Sequence, residues 1–210
     1  MSSLTTFLRQ TRRAFHTTGA VAPSSLALAR ALARPLADRP DGPVEFLEAG
    51  PGTGALTRGI LPHLRPGDHL VLCEINAEFC GHLRMLFDTT EPFRSHRESV
   101  TIHHGAVEEL ADDRRFAHVV CGIPFNNFPP DLVGRIFATL RSRLASGGTL
   151  NFFEYAAIRE LKRPFVSAAE RGRLDGVAAV IGGLVEAHQL DARLVLANLP
   201  PAWARSLRFA

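Results

Sequence analysis

The stretch Val44-Glu45-Phe46-Leu47-Glu48-Ala49-Gly50-Pro51-Gly52-Thr53-Gly54 decides the fold. An apolar run ends in an acid, and three glycines then alternate with other residues. A helical pattern follows at once through Ala55, Leu56, Ile60 and Leu61. Without a Cβ, glycine lets the backbone turn tightly and approach a ligand closely. The helix behind the loop points free N–H groups back at the same spot. Some 20 residues beyond Gly54, a second apolar run, His69-Leu70-Val71-Leu72-Cys73, ends in Glu74. An acid at that place can hold both hydroxyls of a ribose. The spacing therefore predicts a nucleoside-bearing cofactor at the carboxyl ends of a parallel sheet.

The glycine spacing narrows the choice. Dinucleotide sites wrap a pyrophosphate in G-x-G-x-x-G, whereas this chain reads G-x-G-x-G with Glu48 just before it. An acid in that turn repels a pyrophosphate and suits a ligand carrying an ammonium and a sulfonium. The pattern E-x-G-x-G-x-G closely resembles motif I of the class I S-adenosylmethionine (SAM) methyltransferases, and Glu74 matches their second-strand acid. The bland alternative is a strand-turn-helix whose glycines only permit tight packing.

A chain of 210 residues suits one α/β domain, or one domain with a small extension. No apolar run approaches the length needed to span a bilayer. Cys73, Cys80 and Cys121 are scattered, with no C-x-x-C pair and no zinc spacing, and the nine histidines make no metal pattern. No metal is expected, and unpaired cysteines on buried strands suit a reducing, cytoplasmic setting. His103-His104 is expected to be structural or solvated. Net charge is +3 and the sequence pI about 9.1. Residues 1–37 hold Arg9, Arg12, Arg13, Arg30 and Arg34 and no acid. That asymmetry points to an anionic partner, a phospholipid surface or nucleic acid.

Residues Ser3 to Phe15 place Leu4, Phe7, Leu8, Thr11 and Phe15 on one helical face, with Arg9, Arg12 and Arg13 off it. The pattern predicts an interfacial amphipathic helix. A helix packed on the domain and a mitochondrial transit peptide are the alternatives. Residues 1–18 are thus assigned to membrane-surface binding and 19–210 to the catalytic domain. Ser24 or Ser25 can cap a following helix through Leu28, Leu32 and Leu36. The remainder alternates strand and helix, the sign of a parallel doubly wound sheet. Strands are predicted at 44–48, 69–74, 99–103, 117–121 and 149–155, and helices at about 54–64, 77–87, 129–145 and 173–188. Ser146-Gly147-Gly148 is expected to cap the third of these helices. Strands at 192–197 and 202–207 close the chain as an antiparallel hairpin around Asn198-Leu199-Pro200-Pro201.

The fourth strand ends in Cys121-Gly122-Ile123-Pro124-Phe125-Asn126-Asn127-Phe128-Pro129-Pro130. In a class I fold this strand end faces the methyl group. Proline fixes the turn, and the carbonyls of Gly122 and Ile123 can accept hydrogen bonds from an incoming amine. Phe125 can lie against a cationic headgroup or a base. A purely structural proline turn is the alternative.

Two families share these features. The segment resembles the N-[IL]-P-[FY] motif of ribosomal RNA adenine dimethyltransferases, but Gly122 stands where that motif has Asn. Those enzymes also carry a C-terminal helical RNA-binding subdomain for which this chain is too short. The closer resemblance is to the soluble bacterial phospholipid N-methyltransferases of the phosphatidylethanolamine type. It rests on a G-[LI]-P-like motif at this strand, the Gly19-Ala20-Val21-Ala22-Pro23-Ser24-Ser25 run and an aromatic fifth strand. Asn198 to Pro201, followed by a Trp strand, completes it. It spans nearly the whole chain. One departure stands out: the family usually has Gly-Asp-Ala after the third strand, its Asp side holding the adenine amino group. Here Gly105-Ala106-Val107 leaves that contact to backbone or to Glu108.

The resemblance implies an α/β Rossmann-like class I methyltransferase fold, a mostly parallel seven-stranded doubly wound sheet ending in the hairpin. It implies SAM held by Ser25, Glu48, Ala49, Gly50, Gly52, Gly54, Glu74, Ile75, Gly105, Ala106, Val107 and Cys121. The expected activity is N-methylation of an aminolipid headgroup at the inner face of the membrane. Gly122, Ile123, Pro124, Phe125 and Tyr155 carry the chemistry. Tyr155 orients the headgroup or relays a proton, or is a core tyrosine. Arg9, Arg12 and Arg13 meet the surface. Arg159, Lys162 and Arg163 grip the lipid phosphate, or form a solvated loop. An adenine N6-methyltransferase acting on RNA is the competing activity, and a SAM-binding regulator without chemistry is the third.

Overall fold

The computed structural model describes residues 24–39, 41–111, 113–156 and 166–209. The expected N-terminal helix with Arg9, Arg12 and Arg13 lies outside the described residues. So does the basic segment with Arg159, Lys162 and Arg163.

The described elements are α1 (Leu26–Ala33), β1 (Glu45–Ala49), α2 (Thr57–Ile60), β2 (His69–Glu74), α3 (Ala77–Thr89) and β3 (Val100–His104). They continue with β4 (Phe116–Cys121), α4 (Pro130–Ser142), β5 (Leu144–Tyr155), α5 (Ala168–His188), β6 (Gln189–Val195) and β7 (Ala202–Arg208). One seven-stranded sheet runs in the order β3-β2-β1-β4-β5-β7-β6. The first five strands are parallel, and β7 is antiparallel to both β5 and β6.

Residues alternate between the two faces along each strand. Phe46, Leu70, Leu72 and Val120 meet Leu28, Leu32, Ile60, Leu83 and Phe87 of α1, α2 and α3. Leu47, Val71, Val119 and Phe152 meet Leu132, Val133, Phe137, Val177 and Ile181 of α4 and α5. Helices on both faces explain why the central strands read as continuous apolar runs. Ser25 caps α1 as expected, its Oγ accepting from the Leu28 N–H at 3.1 Å. Asn76 caps α3 by accepting from the Glu78 N–H at 2.8 Å. At the α1–α2 crossing, a Cβ on Gly59 would lie 2.7 Å from the Ala29 carbonyl, so only glycine permits this approach.

Two expectations need correction. The helix predicted over 54–64 is one α turn, Thr57–Ile60, followed by 3-10 backbone over Leu61–His63. The loop runs on because Gly54 N–H donates to Pro51 O at 3.0 Å and holds a turn there. Ser146-Gly147-Gly148 does not cap α4. That helix ends at Ser142, and the glycines lie within β5. The Arg143 guanidinium donates to Ala111 O at 2.7 Å and to Leu110 O at 3.2 Å, which fixes the chain just past the helix end. Gly147 at φ +73° and Gly148, whose added Cβ would meet Ala117 O at 2.8 Å, then sit where the β4–β5 register shifts.

Candidate functional site

The chain runs outward from β1 through β2 to β3, then returns to place β4 on the other side of β1. A crevice opens at such a reversal, beyond the carboxyl ends of the strands. Each strand-end carbonyl here accepts a hydrogen bond from the neighbouring loop. Gly50 N–H donates to Cys73 O at 2.9 Å, Gly105 N–H to Glu74 O at 3.0 Å and Gly122 N–H to Ala49 O at 2.9 Å. The structure thus brings the glycine loop, the end of β2, the segment after β3 and the loop after β4 to one rim.

The glycine loop is strained in the way glycine alone tolerates. Gly50, Gly52 and Gly54 have φ of +75°, +57° and +80°. Their duties differ. Gly50 and Gly122 make the closest approach: a Cβ on Gly122 would stand 2.5 Å from Gly50 O. A Cβ on Gly50 would meet Ile123 Cγ1 at 3.0 Å. The loops after β1 and β4 therefore touch backbone to backbone. Gly54 serves packing, since its missing Cβ leaves room for Phe93, Leu83 and Leu86.

Two buried acids underlie the loop. Glu74 Oε2 accepts from Gly52 N–H at 3.1 Å and Oε1 from Asn76 N–H at 2.9 Å, so this acid is already oriented toward the loop. Glu48 is fully buried and accepts from Thr57 Oγ1 at 2.7 Å. Its carboxyl is pushed up to about 8, chiefly by burial, with the Glu74 charge adding and the Thr57 hydroxyl opposing. Its Oε1 is buried without a hydrogen-bond partner.

Beyond β3, Gly105 is hemmed in, because a Cβ there would lie 2.2 Å from Glu109 Oε2 and 2.6 Å from His103 Nε2. Glu109 turns back to accept from Ala106 N–H at 3.3 Å. Val107 packs into the core. Glu108 keeps Oε1 buried and unpartnered, and burial raises its carboxyl. Ala49 and Cys121 are buried strand residues, with Ala49 O already engaged by Gly122, and Ile75 packs on the core. Ser25 supplies its hydroxyl to the helix cap and its N–H to Asn198 Oδ1 at 2.8 Å.

On the other side of the crevice, Pro124, Asn126, Glu154 and Tyr155 line a small hollow between the β4 loop and the end of β5. Tyr155 stands edge-on to Phe153 at 5.3 Å, and burial raises its phenol, so it stays a neutral hydrogen-bonding group. Phe125 departs from expectation. It is 3% exposed, stacked on Phe137 at 4.6 Å and edge-on to Phe152 at 6.0 Å. The ring is drawn into the core beneath the loop and is not free to face a headgroup. Glu154, ion-paired with Arg205, was missed at the sequence level. Its only signal was an acid closing an otherwise apolar strand. Thr57 and Asn198 were missed as partners because their contacts lie far off in sequence. Among the described residues, no group of three His, Cys, Asp or Glu gathers to hold a metal, and no helix is long and apolar enough to cross a membrane.

The strand order and loop placement define the α/β Rossmann-like fold of the class I SAM-dependent methyltransferases. Solved structures agree. An O-methyltransferase from Bacillus cereus, in complex with S-adenosylhomocysteine, matches with a TM-score of 0.67 at 11% identity, covering 100% of this chain and 92% of that one. The N-methyltransferase NodS from Bradyrhizobium japonicum, also with S-adenosylhomocysteine, matches with a TM-score of 0.54 at 16% identity, over 95% and 84%. An ornithine lipid N-methyltransferase from Singulisphaera acidiphila is 28% identical over 111 residues, 50% of this chain and 54% of that protein. The match thus spans about half the length of that curated relative. No family model matches the chain.

Proposed function

We propose that the protein is a SAM-dependent N-methyltransferase acting on the amine of a membrane lipid headgroup, phosphatidylethanolamine or an ornithine lipid. The close contact between the loop after β4, at Gly122 and Ile123, and the glycine loop at Gly50 carries this assignment, because it puts the loop's carbonyls beside the cofactor turn. The partial likeness to an ornithine lipid N-methyltransferase supports the substrate class.

The residues present fit the cofactor. Glu74 offers a carboxylate for the ribose diol, Glu48 Oε1 is free for the ammonium and Glu108 Oε1 for the adenine amino group. The glycines leave room for a close ligand. SAM supplies an electrophilic methyl group there. The chain's own task is to deliver a neutral amine in line with it. A primary ammonium titrates near the lysine value of about 10.4, so it gives up a proton to water before attack. The Gly122 and Ile123 carbonyls and Tyr155 hold the amine by its remaining hydrogens, and alignment supplies most of the acceleration. Residues 1–18, with Arg9, Arg12 and Arg13, hold the enzyme on an anionic membrane surface. Arg159, Lys162 and Arg163 meet the lipid phosphate.

Labelled SAM incubated with the protein and either aminolipid vesicles or total RNA tests the assignment. Label in lipid is expected. Label in RNA alone would establish the adenine N6-methyltransferase instead, and absence of turnover with intact SAM binding would leave a regulator.

A further inference from the structure

The β6–β7 turn stands at the same end of the sheet as the site, since Tyr155 at the end of β5 pairs with Ala202 at the start of β7. Its backbone is fixed. Asn198 is 4% exposed, accepts from Ser25 N–H and donates to Pro200 O at 2.7 Å, and Ala156 N–H donates to Pro201 O at 2.7 Å. On this fixed turn, Leu196 and Leu199 are 73% and 78% exposed, the most exposed large hydrophobic side chains among the described residues. Leu194 is also exposed and faces Trp203 across the strand pair. Leu26 is exposed beside the turn, one residue beyond Ser25. Residues 192–209 contain no acid. Exposed Arg30 follows Leu26 at helical spacing on α1, and Arg34 just past α1 and Arg193 on β6 share Asp191, at 2.6 and 3.4 Å, which leaves the group net positive. Leucines held out by a rigid turn, a neighbouring tryptophan and a net-positive group of arginines match an anionic bilayer interface.

We propose that the β6–β7 turn is a membrane wedge. Leu196 and Leu199 enter the acyl boundary of an anionic bilayer, Trp203 and the arginines lie at headgroup level, and the site opening is thereby set against the lipid amine. The wedge presupposes the aminolipid substrate proposed above. It is separate from any role of residues 1–18.

Vesicles of phosphatidylethanolamine and phosphatidylglycerol test it, with the variant Leu196→Gln/Leu199→Gln. Both side chains are solvent-exposed, so the variant is expected to keep the parent melting temperature and SAM affinity. Its vesicle affinity should fall at least about tenfold, and the loss should persist at high salt because the contact is apolar. Methyl transfer to vesicle lipid should fall in parallel, while transfer to the same lipid in detergent micelles is retained. Separately, Leu199→Trp should show a blue-shifted emission on vesicles, relative to the parent, and quenching by brominated lipid. Unchanged vesicle binding by the double variant, or a tryptophan at 199 that stays unquenched, overturns the wedge while leaving lipid methylation standing. Absence of lipid methylation by the parent removes the substrate assignment, and the quenching measurement then still decides the wedge. A parent dimer that the double variant abolishes would make the patch an interface between copies and would also overturn it.

Discussion

Ser25 donates its backbone N–H to Asn198 Oδ1 at 2.8 Å, across 173 residues of chain. The last residue of one of the two short runs on which the narrower family resemblance rests thus meets the first residue of the other. The start of α1 is tied to the hairpin turn at the mouth of the site. Asn198→Ala leaves the half-buried Ser25 N–H and the Pro200 carbonyl without this partner. A stability loss of about 1–3 kcal/mol is expected, read by denaturant unfolding, with SAM affinity little changed.

Gly52→Val should abolish SAM binding. Gly52 sits at φ +57° with its N–H on Glu74, and a β-branched side chain there strains the loop and fills the crevice. The strain should cost about 1–3 kcal/mol, so circular dichroism should report a folded protein. Undiminished affinity by calorimetry would remove the loop from the cofactor site.

Glu74→Ala should weaken SAM by about 1.5–3 kcal/mol, the scale of charge-assisted hydrogen bonds. A loss below about tenfold would make Glu74 only the acid that holds Gly52 and Asn76.

Glu48 predicts a pH dependence. With its carboxyl pushed up to about 8, the free protein carries it protonated at neutral pH. A cationic ligand meets the full carboxylate charge only above about pH 8, so SAM affinity should rise as pH climbs from about 6 through about 8. The ligand's own amine titrates in the same range, so the comparison is with Glu48→Gln, which should lack Glu48's share of the rise. Without ligand the sign is opposite. The raised carboxyl contributes stability that is full below the ordinary value of 4.5 and is lost as pH rises through about 8. Melting temperature should therefore decline over that window less steeply in Glu48→Gln.

Gly59→Ala should destabilise the fold by about 1–3 kcal/mol. The new methyl would press on the Ala29 carbonyl across the α1–α2 crossing, where backbone cannot yield as a side chain can. Thermal unfolding checks this, and an unchanged melting temperature would mean that the crossing is looser than the structure has it.

What could be read in the sequence was local. β2 ends where its apolar run meets Glu74, and the Ser25 cap and the glycine loop declare themselves within a few residues. What was not legible depends on distant partners. Phe125 reads as a loop aromatic until Phe137 and Phe152 close around it. Gly147 and Gly148 read as a helix stop, because nothing local announces the register shift against β4. Glu154 shows no role until β7 brings Arg205 to it. The missing Asp after β3 was legible as a departure, with backbone or Glu108 left to replace it; that Glu108 Oε1 lies buried and unpartnered, while Glu109 turns back to Ala106, was not.

Glu48 and Glu74, close enough for one charge to raise the other's carboxyl, also bear on turnover. Methyl transfer removes one positive charge from the bound cofactor. In the proposed site, the charge of Glu74, joined by that of Glu48 as pH rises past about 8, would favour the sulfonium over its neutral product. The acids that draw the cofactor in would then weaken its hold once the methyl has gone, so that charge would help exchange spent for fresh cofactor.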